Sequence, residues 1–255
     1  MHTELSIDIG ILWSFLIVLA RVSGFVVAAP IPGLNAAPAA ARIVLSAALS
    51  ISLLPLWPKV QTEPAFGDLA LWSAAEFGLG LVTGVGLATL LEAFQIGAQT
   101  IGLQAGFSYA STVDPSTQAD TAVLQTVVQL FAGALVFTCG LDAHLFRLLS
   151  AGLSAAPNAA AISKAFNPEA VMRFGTLMFN TGLRLAMPVI GSLVLVDLAF
   201  ALVSKVHAQL QLLSFSFALK MLAGLAVYAA TLAAYPRLLT DAAAKVLEML
   251  SRLLK

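Results

Sequence analysis

Apolar residues run along most of the chain in stretches that approach or exceed the roughly 20 residues that a helix needs to cross a bilayer. Six stretches, separated by short polar or proline-containing segments, cover residues 9–29, 43–56, 69–106, 122–141, 174–203 and 212–239. Because the stretches fall in pairs, the pattern predicts an all-α, multi-helix membrane protein built of helical hairpins. Pro236 marks the end of the last stretch, and residues 240–255 are predicted to form an amphipathic tail.

The unequal lengths of the stretches bear on which helices face lipid. Residues 43–56 are too few for one crossing, whereas residues 69–106 are too many. Some helices are therefore expected to pack against protein instead of lipid. We predict one domain, residues 1–255, whose three hairpins are residues 1–56, 69–150 and 174–239.

The composition supports a membrane protein. The chain has 60% apolar and 10% charged residues, with 13 acidic and 13 basic side chains. A soluble domain has about 25% charged residues on which to build its surface, so the missing polar surface must face lipid or other subunits. A net charge of zero argues against nucleic acid as a partner, because that function needs a basic face. Cys139 is the single cysteine, so no internal disulfide can form.

Motifs for catalysis or cofactor binding are missing from the sequence. It contains no HExxH, GxSxG or P-loop pattern. The histidines His2, His144 and His207 are too scattered for a helical metal pair. We therefore expect no enzymatic activity, no cofactor and no metal site.

The basic residues outside the apolar stretches predict the orientation in the membrane. Eight of these ten residues, Lys59 among them, fall on one side of the predicted spans. The other side holds only Arg42 and Lys205. By the positive-inside rule, the side with eight basic residues is cytoplasmic, and both termini lie there.

Ionisable side chains within the apolar stretches are the first candidates for function, because charge in hydrocarbon is costly unless it is paired. They are Arg21, Glu76, Arg184, Asp197 and Lys220. Arg184 and Asp197 are 13 residues apart, which places them on nearly opposite faces of one helix. Their partners are therefore expected on other helices or chains. We predict buried charges at Arg21, Arg184, Asp197 and Lys220.

The third stretch carries two patterns at helical spacing. Glu92, Gln95 and Gln99 form a polar stripe, which needs to face either a protein partner or an aqueous path. These residue types do not separate a subunit contact from a conduit, so both interpretations stay open. Gly80 and Gly84 are four residues apart and predict close packing of two helix backbones, with no further role.

Residues 106–120 interrupt the helical pattern with residues that favour turns and caps. Irregular backbone at membrane depth is tolerated only if it is buried in protein or lines a cavity. The segment is therefore either a simple surface connection, which the residues alone favour, or a plug that fills a pore with apolar side chains. The residues concerned are Gly106, Phe107, Tyr109, Val113, Asp114 and Pro115.

The same segment carries a family resemblance. The pattern GLQxGxSxAxxVDP is matched by Gly102, Leu103, Gln104, Gly106, Ser108, Ala110, Val113, Asp114 and Pro115, and a second match includes Arg21, Pro30, Pro38 and Arg42. On these residues the chain resembles the FliR family of the flagellar export gate, which is related to the SctT proteins of injectisomes. The likeness departs near the sixth stretch, where the family's APQxN and GFPxK patterns have lost both prolines and the glycine in residues 207–220.

This resemblance implies a non-enzymatic subunit of the flagellar type III protein export gate in the bacterial inner membrane and flagellar basal body. It implies a helical spiral assembly with FliP and FliQ, contact with FlhB, and unfolded flagellar proteins as the cargo. It also favours the plug interpretation of residues 106–120. The alternatives are an SctT-type injectisome subunit and, in a different class, a stand-alone secondary transporter.

Overall fold

The computed structural model of the chain describes residues 9–30, 37–60, 64–106, 120–151, 153, 168–206 and 212–253. Within these ranges the regular structure is entirely helical, which confirms the all-α prediction. The helices are α1 (Ile9–Ala28), α2 (Ala39–Ser52), α3 (Phe66–Ala105), α4 (Asp120–Thr138), α5 (Leu141–Ser150), α6 (Pro168–Val206), α7 (Leu212–Thr231) and α8 (Tyr235–Leu253). Two 3₁₀ turns, Leu54–Leu56 and Leu232–Ala234, follow α2 and α7.

Four helical runs in the described ranges are long and apolar enough to cross a membrane: Ile9–Ala28, Phe66–Ala105, Pro168–Lys205 and Ala218–Leu253. A fifth candidate is the bent pair Thr126–Thr138 and Leu141–Ser150, which passes only if the two helices form one broken span. The six apolar stretches of the sequence are therefore not confirmed as six long membrane helices within these ranges. Helix α2 has only 14 residues, and the fourth stretch breaks at Gly140, whose φ of 68° is left-handed.

The overlong third stretch is one helix. Helix α3 has 40 residues, which corresponds to about 60 Å of helix at 1.5 Å per residue. That length is about twice the hydrocarbon thickness of a bilayer. A large part of α3 therefore needs surroundings other than lipid tails, as the sequence predicted.

Pro236 does not end the sixth stretch, which corrects the sequence prediction. Helix α7 already stops at Thr231, and Pro236 is the second residue of α8. A proline is tolerated in the first turn of a helix because the N–H groups there have no helical acceptor. The predicted amphipathic tail is accordingly the greater part of α8, a continuous helix.

Contacts within the chain form two compact units. The first comprises Met1–Thr89, Gly140–Phe174 and Ala244–Lys255, and the second comprises Leu90–Cys139 and Gly175–Ala243. In the first unit, α1 packs on α2 and α5 and buries Ile17, Val18 and Val22 almost completely. The apolar residues of α1 thus supply much of the core of this unit.

Helix α2, in the first unit, turns small polar residues inward. Its buried residues are Ser46 and Ser50, while Ile43, Val44 and Ile51 are exposed. The Ser46 hydroxyl donates to the Arg42 carbonyl at 2.8 Å, and the Ser50 hydroxyl donates to the Ser46 carbonyl at 2.7 Å. These serines satisfy their own hydroxyls along the helix, which leaves an apolar outer face suited to lipid or protein.

The second unit is built around aromatic residues. The ring of Tyr235, at the start of α8, lies 5.7 Å from that of Phe94, 5.8 Å from that of Tyr228 and 6.3 Å from that of Phe131, measured between centroids. These contacts join α3, α4, α7 and α8. The rings lie beside the 3₁₀ turn Leu232–Ala234, where the helical hydrogen-bond pattern changes.

Candidate functional site

Arg21 forms the most buried ion pair of the described residues. Its Nε pairs with Oε2 of Glu76, and the two side chains are only 5% and 9% exposed. The same guanidinium donates through Nη1 to the carbonyl of Ala151 at 2.8 Å and to that of Leu149 at 3.3 Å. Arg21 of α1 therefore joins Glu76 of α3 to the carbonyl groups that α5 leaves unpaired at its C-terminal end.

Glycine residues bring α1 and α3 close enough for this pair to form. A Cβ added to Gly80 would overlap the carbonyl oxygen of Arg21, and one added to Gly24 would overlap that of Phe77. At Gly84 an added Cβ would lie 2.8 Å from the Phe25 carbonyl oxygen. The close packing predicted from Gly80 and Gly84 is confirmed, and the sequence analysis missed Gly24 as its counterpart on α1.

A second ion pair lies in the second unit and is much more exposed. Lys220 Nζ of α7 donates to Asp197 Oδ2 of α6 at 2.8 Å, with side-chain exposures of 17% and 46%. Gln104 Nε2, near the C-terminal end of α3, donates to the same oxygen at 3.3 Å. Three helices therefore contribute to one polar cluster, in which Asp197 is the acceptor.

Burial of Arg184 and Asp197 stays a prediction that requires other chains to cover them, because both residues are exposed in this chain. The neighbours of Arg184 on α6 explain this, because Leu185 and Ala186 take the inward positions of the helix. Arg184 has no acidic partner among the described residues. Pro188 also withholds the N–H that would normally bond to the Arg184 carbonyl, so this turn of α6 carries both a charge and a weakened backbone ladder.

The predicted polar stripe lies on the surface of the second unit. Glu92 and Gln99 are exposed and Gln95 is half-buried, whereas Phe94 and Ala98, on the opposite side of α3, are buried. The stripe has no hydrogen-bond partner within the described part of the chain. Its polar groups are therefore turned away from this unit's own core.

Among the six residues named for the predicted plug, Gly106 is the one whose conformation the structure describes. It follows the last residue of α3 with φ of 84°, and its N–H bonds to the Leu103 carbonyl at 3.3 Å. A left-handed glycine directly after a helix is a common helix terminator. The other plug residues, Phe107, Tyr109, Val113, Asp114 and Pro115, lie outside the described residues.

Two further features were not found by sequence reasoning. One is the aromatic cluster around Tyr235, which only the spacing of seven residues between Tyr228 and Tyr235 would have indicated. The other is a cavity in the first unit, lined in part by Ser14, Trp57 and Lys59. In the described ranges, no group of three His, Cys, Asp or Glu side chains is placed to hold a metal ion.

Comparison with known proteins shows a family match over most of the chain. The family described as bacterial export proteins, family 1, matches residues 12–246 of the chain. The chain belongs to this family. The buried pair, the glycine crossing, the polar stripe and the Asp197–Lys220 cluster all lie between residues 12 and 246.

Individual members of the FliR family show the same relationship over most of the chain. The flagellar biosynthetic protein FliR of Escherichia coli is 28% identical over 86% of this chain and 82% of its own length. The protein of the same name from Bacillus subtilis is 28% identical over 82% of each. That of Pectobacterium carotovorum is 27% identical over 95% of this chain and 91% of its own. The resemblance to FliR drawn from the sequence is thereby confirmed.

Proposed function

We propose that this chain is a membrane subunit of the flagellar protein export gate, in which it forms a channel with FliP and FliQ and contacts an FlhB-like subunit. Membership of the FliR family over residues 12–246 supports a role in the flagellar export apparatus. In this proposal the gate lies in the bacterial inner membrane at the flagellar basal body. Its cargo is unfolded flagellar protein, and the subunit itself is not an enzyme.

The observation that carries the proposal is the exposure of charge on helices long enough to cross a membrane. Arg184 lies exposed on α6, and Glu92 lies exposed on α3. An arginine at the centre of a membrane helix costs about 2.5 to 3.5 kcal/mol, and ionisable residues in such helices are normally turned toward protein or water. A chain that leaves these groups on its surface is suited to an assembly in which other subunits cover them.

The exposure of Glu92 and Gln99 favours a polar stripe that contacts another subunit over one that lines an aqueous path inside this chain. Residues lining a path through a single chain are enclosed by that chain's helices, but Glu92 and Gln99 are on the outside of their unit. We propose that the stripe faces a neighbouring subunit, where its carboxylate and amides find partners. The helical spiral with FliP and FliQ provides such neighbours.

Obligate assembly is the direct test of this function. Expressed alone, the full chain should aggregate or be degraded, whereas co-expression with FliP-like and FliQ-like subunits should yield a detergent-stable complex. Deletion of the gene in its own bacterium should stop export of flagellar protein. A well-behaved isolated chain that transports a small solute would instead identify a secondary transporter, and rescue of secretion only by injectisome subunits would identify an SctT-type role.

For residues 106–120 we propose a plug that excludes water and ions from the closed channel. The support comes from the sequence, in which Phe107, Tyr109 and Val113 supply apolar side chains between turn-forming residues. The helix terminator at Gly106 supplies the point at which the chain leaves α3. Deleting residues 108–112 should leave the complex assembled, because the packed helices are unchanged, but should let small ions pass.

Membrane conductance measured at matched expression distinguishes the two interpretations of this segment. A deleted gate that leaks ions while still assembling supports the plug. A deleted gate as tight as the intact one means that the segment is only a connection. The second outcome would leave the subunit's place in the export gate unaffected.

A further inference from the structure

A cavity of about 590 Å³ in the first unit has the shape and chemistry of a ligand site. Its volume falls within the range of about 300 to 1,000 Å³ that is typical of small-molecule sites. One wall is the first turns of α1, with Ile11 and Ser14, and the other is the segment after α2, with Leu54, Trp57 and Lys59. Every lining residue belongs to the same compact unit.

Hydrogen bonds hold the two walls in place without using the lysine. The buried Ser14 hydroxyl lies within hydrogen-bond distance of two carbonyl oxygens, that of Pro58 at 2.6 Å and that of Gly10 at 2.7 Å, and its one proton links the two walls when it is donated to Pro58. Trp57 donates through Nε1 to the Ser50 carbonyl at 2.9 Å, and its ring lies 5.6 Å from that of Phe15. These contacts position both walls of the cavity.

Lys59 is the charged group of the cavity. Its side chain is exposed, and no carboxylate pairs with it among the residues that the structure describes. The neighbouring wall residues Ile11, Leu54 and Pro55 are apolar. A single cation beside an apolar wall is complementary to a molecule that has an anionic head and a hydrocarbon part.

The position of the cavity along α1 indicates where that molecule comes from. Helix α1 is a candidate membrane span that begins at Ile9, so its first turns lie at one end of the span. Tryptophan and lysine are typical of that level, where the ring meets the lipid and the amine meets the headgroups. The positive-inside prediction drawn from the basic residues puts this end on the cytoplasmic side, whose anionic lipids attract basic groups.

We infer that this cavity binds the headgroup of one anionic phospholipid, with Lys59 on the phosphate and the apolar wall against the upper part of an acyl chain. The bound lipid fills the space between α1 and the segment after α2. It would thereby support the first hairpin at the edge of the membrane. The inference depends on a membrane location, and it stands or fails independently of the export role.

Native mass spectrometry of the full chain, purified with whatever membrane subunits accompany it, tests the site. The probes are phosphatidylglycerol, which is anionic, and phosphatidylcholine, which is zwitterionic. The wild type should prefer phosphatidylglycerol, and Lys59→Gln should reduce that preference about fivefold, as expected for one lysine at a lipid surface. Lys245→Gln, which removes an exposed lysine of the same unit that does not line the cavity, should leave the preference unchanged.

A second variant tests the apolar wall separately. Ile11→Trp fills the cavity and keeps Lys59, so it should weaken the binding of both lipids. Soluble glycerol phosphate should not compete at concentrations at which the lipid saturates. The inference is overturned if the wild type binds both lipids equally, if Lys59→Gln keeps the preference, if glycerol phosphate competes as well as the lipid, or if the assembled complex places a neighbouring subunit's side chains in the cavity.

Discussion

The two units of the chain differ in how far their charged side chains are buried. In the first unit, Arg21 and Glu76 are almost fully buried, and Arg21 also bonds two carbonyl groups at the end of α5. In the second unit, Asp197 is half exposed although it is paired, and Arg184 is exposed without an acidic partner among the described residues. The first arrangement is complete within the chain, whereas the second leaves polar groups on an apolar surface.

This difference separates charge that stabilises the chain from charge that serves assembly. A buried pair is weak support for net stability, but removing one partner is expensive because the other charge stays buried. An exposed pair in one chain contributes little until another surface covers it. We therefore expect substitutions in the first unit to change the folding of the chain, and substitutions of exposed charges in the second to change complex formation.

The largest effect is expected at the glycine crossing on which the buried pair depends. In Gly80→Ala the added methyl group overlaps the Arg21 carbonyl, so α1 and α3 have to separate and the Arg21–Glu76 pair is lost. Little folded protein should remain in membranes, as measured by the amount and protease resistance of the full-length chain. The matched control is Gly191→Ala, because nothing lies within 4 Å of a Cβ added there. Equal amounts of the two variants would mean that the crossing tolerates displacement.

The next largest effect is expected from removing one member of the buried pair. Glu76→Gln should destabilise the chain by about 3 to 5 kcal/mol, because it leaves the Arg21 charge without a counterion. Such a loss lowers the steady-state amount of a membrane protein severalfold. Pulse-chase turnover in membranes measures it. A wild-type half-life for this variant would show that the two carbonyl groups suffice to hold Arg21.

The exposed pair should contribute less to the chain and more to the complex. Lys220→Leu removes the partner of Asp197 and should change the chain's own stability by at most about 1 kcal/mol. Its effect should instead be a lower yield of the complex with the neighbouring membrane subunits on native gels. If complex yield is unchanged, the Lys220 amine reaches the membrane interface by itself and has no role in assembly.

Much of the helical architecture followed from the apolar pattern, since long uninterrupted stretches such as residues 69–106 became single helices. The position of Pro236 was misread, because a proline near a boundary is compatible with the end of one helix or the first turn of the next. The spacing of Gly80 and Gly84 predicted a close crossing, but a spacing within one helix does not reveal which helix it meets.

The candidate site was less accessible to sequence reasoning than the helices. For Asp197 the expected partner on another helix is Lys220, whereas Arg184 has no acidic partner among the described residues. Arg21 and Glu76 are 55 positions apart in the sequence, and their pairing depends on how two helices pack. The periodicity of residues along one helix does not reveal how that helix packs against another. It also does not reveal that Arg184 lies on the exposed face of α6.

The same substitution at two arginines tests the central claim most directly. Arg21→Leu and Arg184→Leu are compared by two quantities, the turnover of the chain in membranes when it is expressed alone and the amount of partner subunit that co-purifies per folded chain. We predict that Arg21→Leu accelerates turnover severalfold, while Arg184→Leu leaves turnover near the wild-type value and reduces co-purification. If both variants change the same quantity to a similar degree, buried and exposed charges do not have separate roles, and the account is contradicted.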